Sequence, residues 1–281
     1  MRGLSLFKPC SAAFDFIFID QYGVLHDGQR PYPGAVDALG ALKARGTRVV
    51  ILSNSGRSGE FNARRMEELG IPRSLYDHFL TSGDVAKAAL LDGDLPIAPG
   101  AATRCMTLSS SNEHDLANDL GFTIAYDGAR ADLLIVSGSQ ADHVSLEEYE
   151  RQMAAAARRG ALCLCTNPDR LMLTSGGTYP GAGAIAALYE KLGGVVSWIG
   201  KPYPGIYAAA ARLVGSPTPR EVLCIGDSIE HDIVGAHRFG AAAMLMRTGI
   251  LAEMSEAELA IECARHGVAP DMIMAGFGDE L

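Results

Sequence analysis

The feature that most constrains this fold is an alternation between short apolar runs and longer, alanine-rich amphipathic segments. The runs "FDFIFI", "TRVVIL", "VSWIG", "EVLCIG" and "AAAMLM" are rich in β-formers and lack the period-two pattern of a half-buried strand. They read as core strands covered on both faces. Between them, "PGAVDALGALKARG" and "PGIYAAAARLVG" read as helices entered after proline and closed by Gly46 and Gly215. Strand and helix repeated in this way form βα units around a parallel sheet, an α/β architecture. The middle of the chain repeats the alternation on a smaller scale, with strands at "TRCMTL", "ADLLIVSG" and "ALCLCTN" and a helix from Ser145. There "SLEE" has the form of a capping box between Ser145 and Glu148. The glycine-rich "TSGGTYPGAGA", Thr174 to Ala184, reads as the seam where this middle unit returns to the first. The expected organisation is a discontinuous core of residues 1–82 and 180–281 with an inserted α/β domain, residues 83–179.

With 281 residues, 48% of them hydrophobic, the chain has the material for a packed core in one large domain or two smaller ones. A net charge of -9 argues against nucleic acid or anionic lipid as a partner, because both require a positive surface field. An anionic substrate must then be met by local cations. The six cysteines show no Cys-x-x-Cys spacing and are expected as reduced, mostly buried thiols. The opening "MRGLSLFKPCSAAFDF" has no apolar core of signal-peptide length, and no later window approaches a membrane span. A soluble cytoplasmic protein is expected.

In an open parallel α/β sheet, ligands bind beyond the carboxyl ends of the strands. After "FIFI" stands Asp20, after "VVIL" Ser53 and Asn54, after "SWIG" Lys201, and after "VLCIG" Asp227 in "GDSIEHD". Each has an ordinary explanation by itself: a turn-forming acid, an Asn-Ser turn, a solvated lysine, a capped helix start. Together they make a set suited to phosphoryl transfer. Asp20 can attack phosphorus as a nucleophile, and Asp20 with Asp227 offers the oxygen ligands that Mg²⁺ prefers. Lys201, the Ser53 hydroxyl and the Asn54 backbone N–H can stabilise charge on the non-bridging oxygens. Asp232, near the start of the next helix, can hold a metal-bound water. "GAGAIA", Gly181 to Ala186, mimics a dinucleotide-binding signature but follows Tyr179-Pro180 rather than a buried strand, so a glycine-rich helix start is the better reading.

In this order the residues resemble the four motifs of the haloacid dehalogenase (HAD) superfamily: "FIDQYGVL", "ILSNS", "GKP" and "GDSIEHD". The long insert between the second and third motifs, with "LTSGD" at its start and "CTNPDR" late within it, is similar to the class IIA branch. That branch holds nucleotide, p-nitrophenyl phosphate, phosphoglycolate and pyridoxal phosphatases. The resemblance implies a Rossmann-like core, an α/β cap, Mg²⁺ and a small phosphorylated metabolite as partner, and it allows a homodimer. It implies metal ligation by Asp20, Asp227, Asp232 and the backbone carbonyl of Tyr22. It also points to Asn167, Asp169 and Arg170 of the cap as substrate contacts, where an Asn-Pro turn is the plainer explanation.

One departure matters. Family phosphatases carry an aspartate acid–base two residues after the nucleophile, and here that position is Tyr22. The missing carboxylate corresponds to roughly 3 to 5 kcal/mol of barrier, at ~10² to 10⁴ in rate for acid–base help. His26 is expected to be a polar residue of the hairpin flap after the first motif, and its use as a replacement proton shuttle is the lesser expectation. "DQYGVL" also resembles the first motif of the 2-haloacid dehalogenases, which carry tyrosine there and attack carbon. Those enzymes lack the fourth-motif metal aspartate, so Asp227, Asp232 and the class IIA cap favour phosphorus. A phosphate-ligand binder without turnover is a third reading, which retention of Asp20 disfavours.

Overall fold

The computed structural model describes residues 11, 13–174 and 176–277. Cys10 and most of the opening segment therefore lie outside the described residues. The strands run β1 (Phe16–Ile19), β2 (Arg48–Ser53), β3 (His78–Thr81), β4 (Arg104–Leu108), β5 (Thr123–Ile124), β6 (Leu133–Val136) and β7 (Leu162–Cys165). After an antiparallel hairpin of β8 (Leu171–Thr174) and β9 (Gly177–Pro180) come β10 (Val195–Trp198), β11 (Val222–Gly226), β12 (Ala242–Met246) and β13 (Met272–Met274). The helices are α1 (Ala35–Ala44), α2 (Gly59–Glu68), α3 (Ser82–Leu91), α4 (Asp115–Asp119), α5 (Leu146–Arg158), α6 (Ala182–Lys191), α7 (Pro204–Leu213), α8 (Val234–Phe239) and α9 (Glu256–His266). None of these is long and apolar enough to cross a membrane.

The chain divides into two compact units. The first comprises the residues up to Ser53, Gly59–Leu80 and those from Lys201 onward. Its six-stranded sheet has the order β13-β12-β11-β1-β2-β3, and every pairing from β13 through β2 is parallel. The strands count outward from β1 toward one edge and from β11 toward the other. The winding thus reverses between β1 and β11, the topological switch point where such sheets bind ligands. Ile17, Ile19, Val49, Ile51, Leu223 and Ile225 form a core with Leu39 and Leu42 of α1 and Met66 of α2. Both expected helices here are present: α1 ends just before Gly46, whose φ is +84°, and α7 begins on Pro204.

The second unit comprises Asn54–Ser58 and Thr81–Gly200, around a parallel five-stranded sheet of order β10-β7-β6-β4-β5. Within β6, Leu133 and Ile135 join a cluster with Leu90 of α3 and Ala117 of α4, while Leu134 and Val136 join one with Tyr149 and Met153 of α5 and Tyr189 of α6. Two covered faces explain why "LLIV" shows no alternation.

Four expectations are corrected here. "VSWIG" is not a strand of the core sheet, because β10 pairs with β7, Val195 opposite Leu162 and Trp198 opposite Cys165. A four-residue apolar run fits either parallel sheet, and only the pairing decides. The second unit accordingly ends at Gly200 rather than near residue 179, and it takes in Asn54–Ser58 as well. Thr174 to Ala184 is no seam: it holds the β8–β9 turn and the start of α6. The capping box is half formed, since Ser145 Oγ accepts from Glu148 N at 3.3 Å while the Glu148 carboxylate turns to Arg151 and Gln152. A Cβ on Gly181 or Gly183 would strike the backbone oxygens of Asp169 or Pro168. Close packing of the α6 start on that turn is what "GAGAIA" provides. Cys105, Cys163, Cys165 and Cys224 are buried free thiols, as expected, and Cys263 is half-buried.

Candidate active site

Register sets the site. Ile19, the last residue of β1, pairs with Ile225 on one side and Ile51 on the other, one residue before the end of β11 and two before the end of β2. Asp20 N then donates to Ile225 O at 2.9 Å, carrying the ladder one step past the strand. Asp20, Asp227 and Asp232 each offer a carboxylate oxygen, and these oxygens lie within 4.8 Å of one another. Lys201 is 3% exposed, with Nζ 2.8 Å from Asp20 Oδ1 and 2.7 Å from Asp232 Oδ1. Lys201 follows Gly200, the last residue of the second unit, and does not end a core strand as expected from sequence. Asp232 lies in a π-helical turn, Ile229–Ile233, that leads into α8, and its Oδ2 accepts from Ser228 N at 3.1 Å. Such turns are frequent at functional sites.

The electrostatics follow from burial. Burial raises the Asp20 carboxyl pKa; Lys201 pulls it back and the Asp232 charge pushes it up again. Burial works against the Lys201 ammonium, but the two carboxylates beside it outweigh burial and raise its pKa. Asp227 is raised by burial first and then by Asp20 and Asp232. With all three acids ionised, Lys201 compensates one charge and leaves two. The donor set, three convergent carboxylates with excess negative charge, therefore fits a hard divalent cation such as Mg²⁺.

Ser53, 3% exposed, ends β2 and accepts from Gln21 Nε2 at 2.7 Å. Tyr22 is 47% exposed; its ring stands edge-on to His26, with centroids 5.9 Å apart, and lies over Gly28. His26 is buried in the flap, Nδ1 accepting from Gly28 N at 3.0 Å, its backbone N bonded to Gln21 O and its O to Gly23 N. Burial, then the nearby Arg65, lowers its pKa to about 4. A neutral imidazole whose Nδ1 already accepts is a poor proton donor at neutral pH, and His26 serves as a structural member of the flap.

The remaining expected residues meet in the second unit. Asn54 Nδ2 donates to Asp169 Oδ1 at 2.8 Å, Ser82 Oγ donates to Asn54 Oδ1 at 3.4 Å, and Asn167 Oδ1 accepts from Asp169 N at 3.1 Å. The last is an Asx turn. Asn54, Asn167 and Asp169 thus use these side-chain groups on one another, as a clasp between segment 54–58 and turn 167–169. Arg170 is exposed.

Sequence reasoning misses two parts of the site. One is Gln21. The other is the loop after β12, where Ile250 N donates to Asp227 Oδ2 at 3.0 Å and the Thr248 hydroxyl donates to Gly23 O, tying Asp227 to the flap. The available signal was "RTG" directly after a buried strand of the same sheet.

Comparison with known proteins bears on the same regions. A family model of haloacid dehalogenase-like hydrolases matches residues 17–123, and a HAD-hydrolase-like model matches residues 198–275. Glycerol-3-phosphate phosphatase of Gallus gallus is 30% identical over 292 residues, spanning 96% of this chain and 92% of its own. The chain belongs to the haloacid dehalogenase-like hydrolases. Chronophin of Rattus norvegicus is 29% identical over 285 residues, 99% of this chain and 90% of its own. The solved structure of p-nitrophenyl phosphatase from Archaeoglobus fulgidus matches with a TM-score of 0.73 at 26% identity, covering 95% of this chain and 97% of that one. These are class IIA-type neighbours, the branch expected within the HAD family from the motifs.

Proposed function

We propose that this protein is a Mg²⁺-dependent phosphomonoester hydrolase that works through a phospho-enzyme on Asp20. The observation that carries the reading is the convergence of Asp20, Asp227, Asp232 and Lys201 at the switch point of the sheet. A carboxylate oxygen of Asp20 attacks phosphorus in line, forming the acyl phosphate as the bond to the ester oxygen breaks. Water then attacks that phosphorus, releasing phosphate and returning the Asp20 carboxylate. Lys201, the Ser53 hydroxyl and the Asn54 backbone N–H are the proposed donors to charge on the non-bridging oxygens. Asp20, Asp227, Asp232 and the Tyr22 carbonyl would hold Mg²⁺, which when bound neutralises phosphoryl charge.

Tyr22 offers no carboxylate to protonate the leaving group. Esters with acidic leaving groups, such as aryl or acyl phosphates, are therefore favoured over alkyl esters, and hydrolysis of the phospho-enzyme is slow. Sugar, nucleotide and aryl phosphates are the proposed substrates, the sugar and nucleotide esters turning over more slowly, with the exposed Arg170 a candidate contact. Buried free thiols favour a reducing compartment, and the cytoplasm is the proposed location.

A panel of phosphate esters assayed with and without Mg²⁺, with L-2-chloropropionate alongside, tests the reading. Phosphate release that needs the metal and is lost in Asp20→Asn supports it; chloride release without metal would instead assign carbon chemistry.

A further inference from the structure

We propose that Gln21 is a positioning residue that sets the direction of the Ser53 hydroxyl. Its Nε2 lies 2.7 Å from Ser53 Oγ and 3.4 Å from Asn62 Oδ1. One amide nitrogen thus points its two hydrogens at two oxygens, both on buried residues. Turned over, the amide would set its own oxygen against the Asn62 Oδ1. Accepting from Gln21 does not use the Ser53 hydroxyl hydrogen, and toward a phosphoryl oxygen, which only accepts, the hydroxyl acts as the donor. That is the polarity phosphate binding requires.

Gln21 is also anchored elsewhere. It directly follows Asp20 in the chain, and its carbonyl accepts from Leu25 N at 2.8 Å and His26 N at 3.2 Å in the flap. One residue therefore links the nucleophile, the flap and the hydroxyl at the end of β2. The nucleophile and the Ser53 donor are held in a common frame, which is the requirement for a near-attack geometry.

The inference rests on the phosphoryl-transfer reading, and a double-mutant cycle separates the two. Wild type, Gln21→Met, Ser53→Ala and the double variant are compared by calorimetric binding of orthophosphate with Mg²⁺ and by kcat and KM for p-nitrophenyl phosphate. Gln21→Met is expected to weaken orthophosphate binding and lower kcat/KM by about tenfold in the wild-type background. In the Ser53→Ala background it is expected to cost little or nothing. Equal losses in both backgrounds, or none in wild type, would overturn the assignment. Running the cycle with Gln21→Glu, which keeps the shape but replaces the donor by an acceptor, covers a methionine variant that fails to fold. A wild-type protein that binds orthophosphate but hydrolyses none of the esters would sink the hydrolase reading, while the binding cycle still decides the role of Gln21.

Discussion

Replacing Gly249 by alanine adds one methyl at the most crowded point around Asp227. Gly249 has φ of +55°, so a Cβ there costs roughly 1–2 kcal/mol before any contact is considered. The methyl would overlap Asp227 Oδ2 and stand 2.6 Å from the Gly23 Cα. Neither can yield freely. Asp227 Oδ2 is bonded to Ile250 N, and the Gly23 carbonyl is bonded to the Thr248 hydroxyl. Forcing a methyl into such a contact costs about 1–3 kcal/mol more. Gly267→Ala is the matched control: its φ is +66°, it closes α9, and a Cβ there meets nothing within 4 Å. Urea denaturation should show Gly249→Ala losing about 2–5 kcal/mol against about 1–2 for Gly267→Ala. Only the Gly249 variant should weaken Mg²⁺ binding and lower phosphatase activity, because only it displaces Asp227. Equal losses of stability with metal affinity intact would refute the claim that Asp227 is confined by its surroundings.

Tyr22→Asp should raise turnover of alkyl phosphates by as much as ~10²-fold while changing aryl phosphates less; a steady-state comparison that finds no gain would mean residue 22 does not limit the rate. Burial keeps the His26 imidazole neutral down to about pH 4, whereas a free histidine protonates near 6.5. The unfolded chain thus binds a proton that the native state forgoes. This contribution is complete above pH 6.5 and declines by about 3 kcal/mol as pH falls to 4. Denaturation curves at pH 7 and 5 should lose that part of the acid slope in His26→Gln, and an identical slope would contradict the assignment. Chelation should abolish phosphatase activity, and Mg²⁺ at a hundredfold excess over Kd should stabilise the wild type by about 2.7 kcal/mol but Asp227→Asn by far less. Melting temperatures indifferent to Mg²⁺ would count against the carboxylate cluster as its site.

Much of this protein is legible in sequence because its signals are local. β1, β2, β11 and β12 are apolar runs since both faces of a parallel strand are buried, and that requires no knowledge of partners. Pro204 and Gly46 mark helix ends by their own backbone chemistry. Asp20 and Asp227 are findable because each directly follows its strand, Ser53 because it ends one, and Asp232 because "GDSIEHD" spaces it from Asp227.

What sequence leaves undecided depends on which surfaces bury together. β10 joins β7, more than thirty residues earlier, and nothing in "VSWIG" distinguishes that edge from the core sheet. Lys201 is recognisable, yet that the strand before it belongs to the five-stranded sheet is known only from that pairing. The short strands β5 and β13 carry too few residues for a periodic signal. Asn167 and Asp169 read as substrate contacts, and only the structure brings Asn54 to Asp169. Gln21 reads as an unremarkable neighbour of the nucleophile until β1 and β2 bring Ser53 to its amide across 32 positions. Patterning and turn chemistry act over a few residues and so persist in the sequence, whereas hydrogen-bond partners are chosen by packing and exist only once the sheets have formed.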